Sequence, residues 1–202
     1  MKFLLSTLVF LGLSGLSVSA QPQQIQLQVG DVDVKKMDKQ TQKTPIFQAD
    51  AVKDKNVPNP RDWLEVEVEF KIDGPSKAVV PELLFRYYIG FRDQNGNPRV
   101  LTGDVKHTNM QAGEEYYSVV YVAPNTLGEI TGDFRRFQDS AVEAMGVEVI
   151  YNGVIVGGKS TQSGARAKFW QATGTQPGIL SKHETPFALL WIDRYAESEK
   201  PR

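Results

Sequence analysis

The sequence has 202 residues, with 23 Lys and Arg, 24 Asp and Glu, and a formal net charge of -1. This balance excludes a protein that binds nucleic acid through bulk positive charge, because such proteins carry a basic surplus. The chain has no Cys, which excludes disulfides, cysteine zinc sites, iron–sulfur clusters, a Cys nucleophile and a lipidated Cys. The length predicts one domain, or at most two small ones.

The first 20 residues have the pattern of a secretory signal peptide. Lys2 is followed by an apolar run from Phe3 to Leu16 and then by the small residues Val18-Ser19-Ala20. The run is too short, and too often interrupted by Ser and Gly, for a retained membrane anchor. We therefore expect cleavage after Ala20 and an exported mature chain without a later transmembrane segment. Its location would be the periplasm, the outer membrane surface or the extracellular space.

The first segments of the mature chain predict strands. Residues 25–34 alternate with a slip of one position at Gly30-Asp31, which predicts an edge strand with a bulge. A polar stretch and a long loop with two Pro residues follow. Residues 63–73 then alternate regularly, which predicts a strand with one core face and one solvated face. The solvated face carries Glu65, Glu67 and Glu69.

Later segments predict two hairpins and two central strands. The hairpins join residues 83–92 to 99–106 and residues 147–151 to 154–156, each around an Asn-Gly dipeptide that favours a type I′ turn. Residues 116–122 and 187–192 are apolar on both faces, as in the middle of a packed sheet.

One segment has helical rather than strand spacing. Apolar residues recur every three or four positions across residues 134–145, between Asp133 as a candidate N-cap and Gly146 as a stop. We predict a single short helix there. With roughly nine short strands around it, the pattern favours an all-β, immunoglobulin-like β-sandwich over residues 21–195, followed by a flexible C-terminal tail, residues 196–202.

Two motifs suggest ligands, but their context argues against both. The sequence from Gly153 to Ser160 has the letters of a phosphate-binding loop, yet it lies in a predicted hairpin instead of opening a helix. The acidic and amide residues from Asp93 to Asn97 suggest a calcium loop, but Pro98 stands where an EF-hand needs Gly. We therefore predict no nucleotide, no metal and no cofactor.

Catalytic patterns are scarce. The two histidines, His107 and His183, lie in polar surroundings and are predicted to be on the surface. No Gly-x-Ser-x-Gly nucleophile elbow occurs in the mature chain. A pair of carboxylates for glycoside hydrolysis stays open as a hydrolase hypothesis, since any of the acidic residues could meet in space.

Aromatic side chains offer a second kind of function, because secreted β-sandwiches bind sugars by stacking them on Trp or Tyr. Trp63 and Trp170 are predicted to lie at strand ends, where partial exposure favours a ligand platform. Trp191 lies in the most apolar segment and is predicted to be in the core.

Three stretches carry a family resemblance. Residues 44–47 (TPIF), 59–68 (NPRDWLEVEV) and 185–195 (TPFALLWIDRY) resemble a family of secreted verrucomicrobial proteins encoded beside type IV pilus genes. The resemblance implies an immunoglobulin-like sandwich, akin to archaeal pilin and archaellum-associated domains, displayed outside the inner membrane. It implies no cofactor and no catalytic residues. True prepilins keep an apolar N-terminal helix with a Glu, whereas this chain has no acidic residue before Asp31, so an accessory component is expected rather than a filament subunit.

These observations predict a non-enzymatic structural or interaction protein, associated with pilus assembly or surface adhesion. The expected partners are other pilus or envelope proteins or a host surface, and a homo-oligomer stays open. Contact would occur through the 25–34 edge strand and through the patterned face of Glu65, Glu67 and Glu69. The alternative is a carbohydrate-binding module that uses Trp63 or Trp170.

Overall fold

The computed structural model describes residues 25–46 and 58–200. Within these ranges the chain forms nine strands and two short helices. They are β1 (Val32–Lys43), β2 (Asp62–Ile72), β3 (Val79–Arg92), β4 (Pro98–Gln111), β5 (Glu115–Val122), α1 (Pro124–Thr131), β6 (Val142–Tyr151), β7 (Val154–Ser160), α2 (Phe169–Ala172), β8 (Thr175–Pro177) and β9 (Ile179–Ser181). Strands dominate, so the predicted all-β class is confirmed.

The strands form one hydrogen-bonded series that folds onto itself as an immunoglobulin-like sandwich. The order is β8-β4-β3-β6-β7-β1-β2-β5-β9. The half β4-β3-β6-β7 packs on the half β1-β2-β5, and the core lies between them. Phe70 of β2 meets Phe85 of β3 there, with ring centroids 4.6 Å apart. The apolar face of β2 is buried as predicted, since Leu64, Val66, Val68, Phe70 and Ile72 are at most 1% exposed.

Glycines allow the two halves to meet at both corners of the sandwich. At one corner, Val32 of β1 pairs with Gly157 of β7, where a side chain would collide with the Val32 backbone. At the other corner, residues 175–181 pair first with β4 and then, after Gly178, with β5. There Gly103 leaves room for Ile179. A strand that changes partner in this way joins the two halves of a sandwich.

Several predicted elements are wrong in position. The strand expected at 25–34 begins only at Val32, and its register shift falls between Val34 and Lys36 instead of at Gly30-Asp31. Residues 35–43, which have no apolar alternation, continue β1 because they pair with β2 throughout. Residues 25–31 pack against the sandwich, where the Tyr151 hydroxyl donates to the Ile25 carbonyl at 2.9 Å.

The helix predicted at 134–145 is also wrong. Asp133 closes a turn by accepting from the backbone N–H groups of Arg135 and Arg136, and β6 then begins at Val142 and pairs with β3. The helix of this region is α1. It starts at Pro124 and ends at Thr131, and the next residue, Gly132, has a φ of 78°, as expected for Pro at the first helical position and Gly at the stop.

The two Asn-Gly hairpins are present, but only one has the expected turn. Asn152 and Gly153 have φ values of 48° and 80°, as a type I′ turn requires. In the other hairpin only Gly96 has a positive φ, so a type I′ turn there is wrong. That turn is held by Asp93, which accepts from the N–H groups of Asn95 and Asn97 at 2.9 Å each. The residues of the calcium-like pattern thus satisfy one another.

The C-terminal region differs most from expectation. The strand predicted at 187–192 is wrong, because this segment forms turns and a 3₁₀ turn at Ile192–Arg194. It lies over the outer face of β2 and β5 as an additional layer. Residues 196–199, which belong to the predicted tail, pair with β4 through Thr108 N–H to the Glu197 carbonyl and Glu199 N–H to the Lys106 carbonyl.

Candidate functional site

A polar cleft lies on the outer face of the β1-β2-β5 half. Three adjacent strands place matched side chains in rows, because Gln40 pairs with Glu65 across β1 and β2, and Glu65 pairs with Tyr121 across β2 and β5. The next row pairs Asp38 with Glu67. The segment 187–195 forms the wall. We call this site the Trp191 cleft; it has a volume of about 470 Å³ and is lined by Asp38, Lys39, Gln40, Gln42, Glu65, Glu67, Trp191, Arg194 and Tyr195.

An aromatic stack leads from the sheet to the mouth of the cleft. Phe187 lies parallel to Tyr121, with centroids 4.5 Å apart, and Trp191 lies nearly parallel to Phe187 at 6.4 Å. Trp63 closes the stack edge-on against Phe187. One face of the Trp191 indole is therefore supported from below, while 46% of the residue is exposed.

The backbone at Trp191 is strained. Its φ of 50° and ψ of 44° place it in the left-handed region, which costs a non-glycine residue roughly 1–2 kcal/mol. Strain of this kind concentrates at functional sites. The left-handed backbone conformation of Trp191 directs the chain into the Ile192–Arg194 turn and places the indole ring against Phe187.

The floor of the cleft contains a buried carboxylate. Glu65 is 1% exposed, and the Gln40 amide donates to its Oε1. Within the described part of the chain, its Oε2 and the nearby Tyr121 hydroxyl have no hydrogen-bond partner of normal geometry. Burial and the Glu65 carboxylate raise the pKa of Tyr121, so its hydroxyl stays protonated. A buried acceptor without a donor costs free energy that a ligand donor can recover.

The remaining charges are largely engaged within the protein. Arg194 donates to Glu67 through Nε and a terminal nitrogen, at 2.9 and 2.6 Å, and lies over the Tyr117 ring at 4.2 Å. This contact lowers the pKa of Glu67. Lys39 Nζ donates to the Asp139 carbonyl at 2.5 Å, and Asp38 forms an ion pair with Lys36.

These contacts bear on the hydrolase hypothesis. The cleft brings Asp38, Glu65 and Glu67 to one surface, but glycoside hydrolysis needs one carboxyl group with a raised pKa. Glu67 has the opposite shift and a bidentate partner. Glu67 is therefore unsuited to act as the general acid of such a reaction.

The sequence-predicted sites are placed as follows. The partial exposure expected for Trp63 and Trp170 is wrong, because each is only 9% exposed. Trp63 donates to the Thr44 hydroxyl at 3.0 Å, and Trp170 stacks on Tyr88 at 4.3 Å. The core position expected for Trp191 is wrong as well. Ligand binding at Trp63 or Trp170 stays a prediction that the structure does not test.

The sequence predicts that the glutamates of β2 lie on a solvated face, and this is only partly correct. Glu65 is buried and Glu67 is bound to Arg194, while Glu69 is half-buried. One signal in the sequence could have indicated this: residues 116–122 are apolar on both faces, so their outer face needs a cover, and they pair directly with the glutamates.

The histidine prediction is wrong for His107. This residue is 2% exposed, and its Nδ1 donates to the Glu197 carbonyl at 3.2 Å while its Nε2 accepts from the Ser118 hydroxyl at 2.6 Å. His183 is half-buried and contacts the Ser198 carbonyl through Nε2 at 3.1 Å. Within residues 25–46 and 58–200, no three acidic or histidine side chains are grouped to hold a metal ion.

The segment with phosphate-loop letters is the Asn152-Gly153 turn and strand β7, paired with β6, as the sequence context predicted. Neither described helix has the length and hydrophobicity to cross a bilayer.

The fold is an all-β sandwich with a polar cleft on one outer face. A protein-family model matches residues 23–202, and the chain belongs to that family. A crystal structure of a protein from the verrucomicrobial bacterium Akkermansia muciniphila is similar, with a TM-score of 0.73 and 29% identity, covering 85% of this chain and 94% of that chain. No curated protein matches the sequence significantly.

Proposed function

We propose that this chain is an exported, non-enzymatic interaction protein of the bacterial surface that contributes to adhesion, as an accessory component associated with a type IV pilus. The Trp191 cleft carries the proposal. An exposed indole is held in place by its left-handed backbone conformation and by Phe187, and it lines the same cleft as the buried carboxylate of Glu65. A site that is formed in advance in this way lowers the ordering cost of binding.

Export and pilus association have separate support. Residues 1–20, which lie outside the described residues, have the signal-peptide pattern. The sequence resemblance to proteins encoded beside pilus genes, together with the similarity to a verrucomicrobial structure, favours the same cellular context. Both remain part of the proposal.

The test uses a strain that lacks the gene. The strain is complemented with the wild type, with Trp191→Asn or with Leu189→Ala. Asn tolerates the left-handed region, so Trp191→Asn removes the ring with little change to the backbone. Leu189 is 73% exposed, lies in the same segment and does not line the cleft, which makes it the matched control.

We expect antibody to label intact wild-type cells and the protein to accompany sheared filaments. Adherence to a solid surface should be lost in the deletion strain and with Trp191→Asn, and restored by the wild type and by Leu189→Ala. Labelling only after lysis, or adherence that does not depend on the gene, would overturn the proposal.

A further inference from the structure

The structure also indicates what kind of ligand fits the Trp191 cleft. Resting on the proposed function, we infer that the cleft binds a neutral carbohydrate, with the face of one sugar ring on Trp191 and its hydroxyl groups on the floor. The shape, the hydrogen-bonding groups and the charge of the cleft each favour such a ligand.

The shape matches a sugar ring. A pyranose has a C–H face that packs on an aromatic ring, and such a contact needs a flat, supported and accessible indole. Trp191 meets these conditions, since its ring lies 13° from parallel to Phe187 and the residue is nearly half exposed. The volume of about 470 Å³ is within the range of small-ligand sites.

The polar groups match sugar hydroxyls. Gln40 and Gln42 line the cleft and each can both donate and accept, as a hydroxyl does. Below them, Glu65 Oε2 lacks a donor and the Tyr121 hydroxyl lacks a partner among the described residues. The Glu65 carboxylate also accepts from the Gln40 amide, and so orients the side chain that a sugar hydroxyl meets at the rim of the cleft.

The charges disfavour an anionic ligand. The cleft contains three carboxylates, Asp38, Glu65 and Glu67, and two cations, Lys39 and Arg194. The cations already bind the Asp139 carbonyl and Glu67. A sulfated, phosphorylated or sialylated glycan would therefore meet negative potential without a lining cation that the described structure leaves available. A neutral hexose or N-acetylhexosamine meets no such penalty.

The experiment screens the purified mature chain, residues 21–202, against an array of neutral oligosaccharides and their sulfated and sialylated counterparts. The best neutral sugar is then titrated by calorimetry. Tryptophan fluorescence provides an independent readout, because Trp63 and Trp170 are buried and Trp191 is the exposed indole. Sugar binding should shift the emission and protect it from acrylamide quenching.

Trp191→Asn and Glu65→Gln are each expected to weaken binding about tenfold or more, while Leu189→Ala keeps the wild-type affinity. Circular dichroism and thermal unfolding check that the variants are folded. If Glu65→Gln does not fold, Gln40→Ala, at the exposed rim, replaces it and should weaken binding as well.

The inference is overturned if no neutral glycan binds, if anionic glycans bind more tightly, or if Trp191→Asn binds as the wild type does. These results are distinguishable from failure of the proposed function. Trp191-dependent adherence without glycan binding would leave adhesion standing and refute the ligand class. Release of reducing sugar from the bound glycan would instead contradict the non-enzymatic role.

Discussion

At the scale of single residues, Glu65 is buried in the floor of the Trp191 cleft while Trp191 is nearly half exposed. Alternation along one strand places Glu65 with Glu67 and Glu69 on a solvated face, and local hydropathy places Trp191 in the core. The structure reverses both, because the segment 187–195 covers part of that face and places Trp191 at its exposed edge. Whether a side chain is buried depends on which other segment packs against its face of the sheet. The periodicity within one segment indicates the face but not the segment that packs on it.

His107 gives a prediction for pH dependence. Burial lowers its pKa to about 4 from an ordinary value of 6.5. Between these values the unfolded chain binds a proton here that the folded chain does not, so stability falls as the pH is lowered from 6.5 to 4, by about 3 kcal/mol in total. We expect the free energy of unfolding in urea to decrease from pH 7 to pH 4.5 more steeply for the wild type than for His107→Gln.

The comparison of the two proteins isolates this histidine. Carboxylates with lowered pKa values, such as Glu115 and Asp133, also reduce stability at the acidic end, but they are common to both proteins. Parallel pH profiles for the wild type and the variant would contradict the prediction.

Gly103 gives a second prediction at this scale. A Cβ at this position would lie 2.7 Å from the Cβ of Ile179, at the corner where β9 crosses between the halves. We expect Gly103→Ala to lower the free energy of unfolding by about 2 kcal/mol, through overpacking. Gly174→Ala, which meets no atom within 4 Å, is the control and should change stability by less than about 0.5 kcal/mol. Equal stability of the two variants would show that the corner can relax.

At the scale of elements, the segment 134–151 shows tertiary pairing overriding a local pattern. Apolar residues at helical spacing predicted a helix, but Val142, Met145 and Val147 belong to β6, which pairs with the long strand β3. A strand that is buried on both faces has an apolar run that fits both the helical and the strand spacing. Pairing with β3, which lies elsewhere in the sequence, decides between a helix and a strand here.

The C-terminal pairing is the element whose removal is most informative. Residues 196–199 add backbone hydrogen bonds to β4 and β5, including Ala196 N–H to the Tyr117 carbonyl, and provide the acceptor for His107. We expect truncation after Tyr195 to lower the free energy of unfolding of the mature chain by roughly 1–3 kcal/mol. This is the contribution of the lost hydrogen bonds minus the entropic cost of ordering residues 196–199. Urea denaturation measures this. Truncation after Lys200 should have no effect, and equal midpoints for the two truncations would contradict the prediction.

At the scale of the whole molecule, the two halves are expected to unfold together. They share one core, and the chain crosses between them at residues 175–181 and 196–199. A buried hydrogen-bonded series from the Tyr87 hydroxyl through Ser118 to His107 also joins them. We therefore expect circular dichroism and tryptophan fluorescence to give coincident urea transitions, as in a two-state domain. Separate midpoints would mean that one half unfolds alone.

The sequence by itself determined the class of the fold, the buried face of β2 and the two hairpins, because alternation and Asn-Gly turns are local signals that the sandwich satisfies. The balanced charge and the lack of cysteine already indicated a disulfide-free protein that does not bind nucleic acid by bulk charge. Only the tertiary structure decided where the candidate site lies. The Trp191 cleft joins residues about 150 positions apart in the chain, on β1 and in the C-terminal segment, and Glu65 is buried where these parts of the chain meet. Local pattern specifies which way a side chain points, whereas the cleft depends on what the rest of the chain places opposite it.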